Sequence, residues 1–263
     1  MARTLGLGLA SKIYRNNKDL SYLKYFSDNG NEVVFCNVGN ASTSEGVFWE
    51  TINAAGVKQI PAVISIWDDG YGISVPNDVQ TTKSDISEVI RGFQRDEKNA
   101  GFEIFKVKGW DYPGLCETYA LAARSAREKH IPCIVHVTEL TQPQGHSSSG
   151  SHERYKSKER LQWETEYDCN AKMRQWLLDA GIATEEELKN IESEAKDYVR
   201  SEQKRAWADY RKLLQAELDE AVEQLTKLSN PMVELPLNIL KSTTEPSLKE
   251  IYSTVRQVLR DLR

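Results

Sequence analysis

No apolar run in this sequence approaches the roughly 18 residues that a membrane-spanning helix needs. Positive charge is not in excess either. The 34 Lys and Arg face 39 Asp and Glu, for a net charge of −5 and a pI near 5.6. That leaves no surplus to neutralise a nucleic-acid backbone or an anionic membrane surface. The four cysteines, Cys36, Cys116, Cys133 and Cys169, form no C-x-x-C pair. They read as buried, reduced thiols of a cytoplasmic protein. Four histidines are too scattered to suggest a zinc site. The start lacks a basic segment followed by an apolar core, so no signal peptide is evident. What is present, 263 residues with 40% hydrophobic and 28% charged content, is enough to build a globular core.

The chain changes texture near residue 150. Before it, apolar runs alternate with helical stretches. Strands are expected at 32–37, 61–67, 102–108 and 133–140, and helices at 1–14, 44–55, 84–93 and 113–129. Gly6 and Gly8 are expected to let the first helix pack closely. Alternation on this scale argues for βαβ units, hence an α/β fold with a parallel sheet flanked by helices. Runs such as "PAVISIW" and "CIVHVTEL" suit strands covered on both faces. After residue 152 the chain becomes charged and helical. Gly181 is a helix stop, and Thr184 to Glu187 has the capping-box pattern for a long helix ending near Leu228. "PMVELPLNILKSTTEP" reads as an extended linker and 248–262 as a last amphipathic helix. Three segments follow: an α/β domain at 1–152, a helical extension at 153–228, and a linker with a helix at 229–263. The charged runs of the tail read as solvated faces. Trp67 and Trp110 are expected near strand ends, and Trp163, Trp176 and Trp207 on the packing face of the tail.

Two loops carry the chemistry. In "FCNVGNASTSEGVFWETINAAG" a strand ends at Gly39, small residues follow, and a helix begins. Backbone N–H groups at such a turn favour phosphate, and small residues admit it closely. The second loop, "WDDGYGIS", follows the next strand. If the two strands are parallel neighbours, both loops leave the same carboxyl edge, where open α/β sheets bind ligands. A carboxamide at Asn40, a carboxylate at Asp69 and a carbonyl at Tyr71 are hard oxygen ligands of the kind Mg²⁺ prefers. The plain alternative is that Asp68, Asp69 and Gly70 form a surface turn.

The first loop resembles the thiamine-diphosphate motif of the alpha-type subunit of 2-oxo-acid dehydrogenase decarboxylating components, of the transketolase-like superfamily. That family writes G-D-G, then a Gly and a Glu, and Gly39, Gly46 and Glu50 fall at matching places. The motif's end, Asn-x-Tyr-Gly, is matched by Asp69-Gly70-Tyr71-Gly72. "GHSSSGSHERYKSKERL" is similar to the family's His-Ser loop through His146 and Ser147, and "LLDAGIATEEELKNIESEAKDYV" to its helical tail. The likeness covers about residues 3–210. It implies thiamine diphosphate and Mg²⁺ as cofactors. Gly39, Asn40, Ala41, Ser42, Tyr71, Ile73 and His146 become the cofactor-binding positions, Asn40, Asp69 and Tyr71 the metal ligands, and His146 the catalytic residue beside the reacting carbons. Ser147 aligns with a serine phosphorylated in some relatives. The Gly/Ser-rich loop around His146 is expected to order only with cofactor. The sequence departs from the pattern where Asn40 replaces an Asp, Asp69 an Asn and Ala41 a Gly. The exchange conserves total ligand charge, and restoring Asp at 40 would be expected to tighten Mg²⁺ binding.

The resemblance further implies a beta-type half, fused or separate, that supplies the catalytic Glu, a lipoyl acyltransferase as acyl acceptor, and a homo-oligomeric parent protein. The chain then reads as a fragment of a fused alpha–beta protein that acts on a branched-chain 2-oxo acid or pyruvate, and as inactive alone. Two other readings stay open. A nucleotide-binding α/β module would bind a nucleotide and not thiamine diphosphate. A non-catalytic interaction fragment would dock partners through its charged tail without cofactor.

Overall fold

The computed structural model describes residues 1–146 and 151–262. Ser147 and Ser149 lie outside the described residues. In chain order the elements are α1 (Ala2–Asn16), β1 (Val34–Gly39), α2 (Gly46–Lys58), β2 (Ala62–Trp67), β3 (Tyr71–Gly72), β4 (Val75–Pro76), α3 (Asn77–Gln80), α4 (Ile86–Val89), β5 (Glu103–Lys108), α5 (Tyr112–Lys129), β6 (Cys133–Thr138), α6 (Lys158–Glu166), α7 (Cys169–Asp179), α8 (Glu185–Lys227), α9 (Pro231–Ser242) and α10 (Leu248–Asp261). The chain divides into two compact units, Met1–Ile182 and Ala183–Arg263.

The first unit is the α/β fold expected. Its sheet has the order β1-β2-β6-β5 with every neighbouring pair parallel. Side chains alternate across it, as the period of a strand requires. Ala62, Ile64, Ile66 and Ile134 point to the side that holds Phe48 and Ile52 of α2 with Ile86 and Ile90. Val63, Val135 and Val137 point to the other side, against Ala122 and Ala126 of α5. Every residue of β2 up to Ile66 is therefore buried, which is why this strand reads as an unbroken apolar run. A Cβ at Gly8 would lie 2.8 Å from Ile60, so α1 does pack closely there, whereas Gly6 faces open space. The expected helix over 84–93 is the single turn α4, capped by Asp85, followed by a 3-10 turn at Ile90–Phe93. The hairpin β3–β4 and the turn α3 had no expected counterpart. α7 ends as expected at Gly181, with Gly181 N–H bonded to the Leu178 carbonyl and Ile182 N–H to that of Leu177.

The second unit is helical. α8 begins at the capping box of Thr184 and Glu187 and α10 at one of Ser247 and Glu250. The segment expected as an extended linker is instead α9. Its apolar residues Val233, Leu237 and Leu240 recur at helical spacing and are buried with Leu225, Ile251 and Val258. Pro231 occupies the first turn, where its missing N–H costs nothing, and Asn230 caps the helix by accepting from Met232 N–H. Only Pro236 breaks the hydrogen-bond ladder, and burial of the apolar face outweighs that loss. No helix among the described residues is long and apolar enough to cross a membrane.

The thiols are less uniform than expected: only Cys133 is buried, and Cys116 is exposed. Burial, aided by the charge of Glu103, pushes the Cys133 thiol up to about 12. Since the thiolate is the reactive form, iodoacetamide at pH 8 should label Cys116 readily and Cys133 only after unfolding, as peptide mass analysis would show. Labelling of folded Cys133 at the rate of Cys116 would contradict this packing.

Candidate functional site at the carboxyl rim of the sheet

Gly39 and Trp67 are register partners at the ends of β1 and β2. The next residues, Asn40 and Asp68, thus emerge side by side at the carboxyl rim. The backbone stitches this rim shut beyond the strands. Asp68 N–H donates to the Val137 carbonyl at 2.9 Å, and Leu140 N–H to that of Asp68 at 3.1 Å. After Gly39 the chain takes a 3-10 turn, Asn40–Ser44, in which Thr43 Oγ1 donates to the Asn40 carbonyl and buries both residues. The two loops converge. A Cβ on Gly72 would come within 2.9 Å of the Ala41 Cβ. Gly39 and Gly46 have open space where a Cβ would stand, the approach that a diphosphate needs.

The two neighbouring aspartates are both buried, and their surroundings treat them oppositely. They do form a turn, with Gly70 at φ +85°, but not an exposed one. Asp68 accepts from Gly70 N–H at 2.8 Å, from Asn77 Nδ2 at 2.9 and 3.1 Å, and from His136 Nε2 at 2.9 Å. Burial alone would raise its pKa, but these donors together outweigh burial and hold the carboxyl below its usual range. Asp69 uses Oδ1 to accept from Tyr71 N–H at 3.2 Å. Its Oδ2 is buried with no hydrogen bond among the described residues, and His146 Nε2 stands 3.4 Å from it. Burial pushes this carboxyl up, against the pull of His146, Tyr71 N–H and Lys156.

An orphaned, buried carboxylate oxygen beside a small-residue turn fits a bound cation. Asn40 fits the same group. Its Nδ2 donates to Asn77 Oδ1 at 2.8 Å, so its oxygen is the end that Asn77 does not engage. This contact also alters the expectation for aspartate at position 40, which would set a carboxylate against the Asn77 oxygen. Among the described residues no three His, Cys, Asp or Glu side chains form a metal cluster, so a cation here must draw on carboxamide and carbonyl oxygens as well. Of the other expected residues, Ser42 and Ile73 are exposed, the latter at the tip of the β3–β4 hairpin with φ +60°. That value is strained for a β-branched side chain.

The residues that hold the second loop were not foreseen. Arg160 Nη2 donates to the Asp69 carbonyl at 2.7 Å, and its Nε to Glu164 at 2.8 Å. Lys156 Nζ donates to both Glu164 oxygens at 2.8 and 2.9 Å. The Lys156 and Glu164 side chains are 0% and 1% exposed, so this part of the tail is not the solvated face expected of it. Both cations also lie over the Tyr71 ring, at 5.1 and 5.5 Å. The spacing of Arg160 and Glu164 is a legible i, i+4 pair, although Lys156 stands before the helix and burial leaves no mark in the charge pattern. His136 inside "CIVHVTEL" was a second, since a histidine in a doubly covered strand needs polar partners. Asn77 gave no signal.

Residues 2–213 match the family described as dehydrogenase E1 component, and the chain belongs to that family. Among curated relatives it is similar to the pyruvate dehydrogenase E1 component subunit alpha of Rickettsia bellii, 26% identical over 65% of this chain and 49% of the relative. The corresponding Rhizobium meliloti protein is 27% identical over 74% and 51%. The 3-methyl-2-oxobutanoate dehydrogenase subunit alpha of Mycobacterium tuberculosis is 29% identical over 63% and 42%. The chain spans about half the length of the curated relatives it matches.

Glu164→Ala would strand the buried Lys156 ammonium. It should destabilise the protein by about 3–5 kcal/mol, read from urea denaturation. A loss under ~1 kcal/mol, the scale of an exposed pair, would show that the pair is solvated.

Proposed function

We propose that this chain is the diphosphate- and Mg²⁺-holding half of a thiamine-diphosphate-dependent 2-oxo-acid dehydrogenase decarboxylating component. The orphaned Oδ2 of Asp69, buried at the rim where both loops meet, carries this reading. Family membership supports it. Gly39, Ala41 and Ser42 would receive the diphosphate on their backbone, with Gly46 leaving room for it. The Asn40 oxygen, Asp69 Oδ2 and the Tyr71 carbonyl would hold Mg²⁺. Ile73, at the hairpin tip, would touch the body of the cofactor. Thiamine diphosphate, when bound, supplies the electron sink for decarboxylation.

His146 would be the residue of this chain that faces that chemistry. Its Nε2 lies beside Asp69 and would donate a hydrogen bond to an oxygen of the reacting acid. A beta-type half would supply the Glu facing the aminopyrimidine, and a lipoyl acyltransferase would take the acyl group. Relatives named for pyruvate and for a branched-chain acid match at 26% and 29% identity, so the substrate class is drawn as 2-oxo acids without choosing between them.

Calorimetry with Mg²⁺ and thiamine diphosphate, with and without a beta-type half, tests the reading. Binding that tightens with that half is expected. Saturable ADP binding without thiamine diphosphate binding would favour a nucleotide module, and decarboxylation by the isolated chain would refute a half-site. Gly72→Val, which would wedge the hairpin away from Ala41, should weaken Mg²⁺–thiamine diphosphate by about tenfold, or ~1.4 kcal/mol. Unchanged affinity would remove the junction of the two loops from the site.

A further inference from the structure

A carboxamide has an accepting end and a donating end, and only its surroundings decide which end faces a ligand. At Asn40 the choice matters, because an oxygen would bind a cation and an NH₂ group would repel it. The structure contains a chain of contacts that makes the choice. It starts at Asp68, a carboxylate with acceptors only, filled by Gly70 N–H, His136 Nε2 and Asn77 Nδ2. The other nitrogen of His136 shares a hydrogen bond with Ser87 Oγ at 2.6 Å, which holds the ring in place. Asn77 must therefore turn its NH₂ to Asp68 and its oxygen to Asn40. The backbone fixes where Asn77 stands, since its N–H donates to the Gly70 carbonyl at 3.0 Å. Asn40, facing an oxygen, must present its own NH₂, at 2.8 Å. Its oxygen is thereby turned the other way.

We propose that Asn77 is a positioning residue that carries the polarity of Asp68 to Asn40, so that the Asn40 oxygen rather than its nitrogen faces the cation of the bound diphosphate. The orientation stands on the hydrogen bonds alone; its role toward the cation rests on the function proposed above. The relay also reverses the sequence expectation for Asn40→Asp. An aspartate at 40 needs a donor from Asn77. Asn77 would have to turn over and set its oxygen against Asp68. Adding Asp68→Asn supplies the missing NH₂ at the Oδ2 position, with Oδ1 kept on Gly70 N–H and His136 taking the tautomer that accepts, so the relay can run with its polarity inverted.

The full chain is melted without ligand and titrated calorimetrically with Mg²⁺ and thiamine diphosphate. The variants are Asn40→Asp, Asp68→Asn, the two together, Asn77→Ala, and Asn40→Asp with Asn77→Ala. Asn40→Asp should lower the melting temperature, and Asp68→Asn should restore most of the loss. In the Asn77→Ala background Asn40→Asp should cost clearly less than in the wild type, because no oxygen faces it, and what remains is the burial of the new carboxylate. Simple charge repulsion would keep its cost there. Asn77→Ala should weaken cofactor binding by about tenfold. Additive melting shifts, an undiminished Asn40→Asp cost without Asn77, or wild-type affinity in Asn77→Ala would overturn the relay. Coupled melting in chains that bind no thiamine diphosphate would instead sink the functional reading and leave the orientation intact.

Discussion

The carboxylate of Asp68 is a charge placed at the end of the central strand β2 and almost removed from water. Such a group is costly unless every lone pair finds a donor. Three donors from three segments meet that demand: the turn at Gly70, the start of α3 at Asn77, and His136 of β6. Each is pinned in turn by the charge it serves. The same residue also ties the end of β2 to β6 through its N–H and to Leu140, just past β6, through its carbonyl. Side-chain and backbone order at the rim thus have one origin. Nearby Asp85 is held low in the same manner, with Lys106 and other donors outweighing burial.

Asp69, one residue on, shows what the scaffold leaves undone. Its carbonyl is gripped by Arg160 and one carboxylate oxygen by Tyr71 N–H, yet the other oxygen is buried with no hydrogen bond among the described residues, His146 standing 3.4 Å away. A fold that satisfies one buried acid so fully and its neighbour so incompletely concentrates its unmet demand at one atom. The Lys156–Glu164–Arg160 group makes that arrangement rigid. The buried Glu164 carboxylate, shared with the buried Lys156, holds Arg160 in place, and Arg160 holds the turn.

Much of this could be read from the residues. The four parallel strands were legible because β2 and β6 are apolar runs bounded by polar turns. The convergence of the Asn40 and Asp69 loops was legible from strand order and spacing. α9 was misread because two prolines dominate "PMVELPLNILKS", while the period of Val233, Leu237 and Leu240 is weaker in the eye than in the core. Asn77 lay beyond reach for a different reason. Its role depends on a two-residue hairpin that returns the chain to the rim, and strands that short leave no periodic trace. Glu164 and Lys156 were hidden among like residues, since charge pattern alone does not tell a buried pair from a solvated one.

The 43 residues of α8 correspond to about 65 Å of helix. Its last turns are covered by α9 and α10 through Ala221 and Leu225. Between Lys189 and Leu213 nearly every side chain is exposed, Tyr198, Val199 and Trp207 among them. Those central turns rest on the entry cap and on exposed ion pairs such as Lys212–Asp209, each worth only tenths of a kcal/mol. Amide protons there should exchange with solvent by local fraying, long before those of the covered end, so that one unbroken helix behaves as two segments of very different persistence.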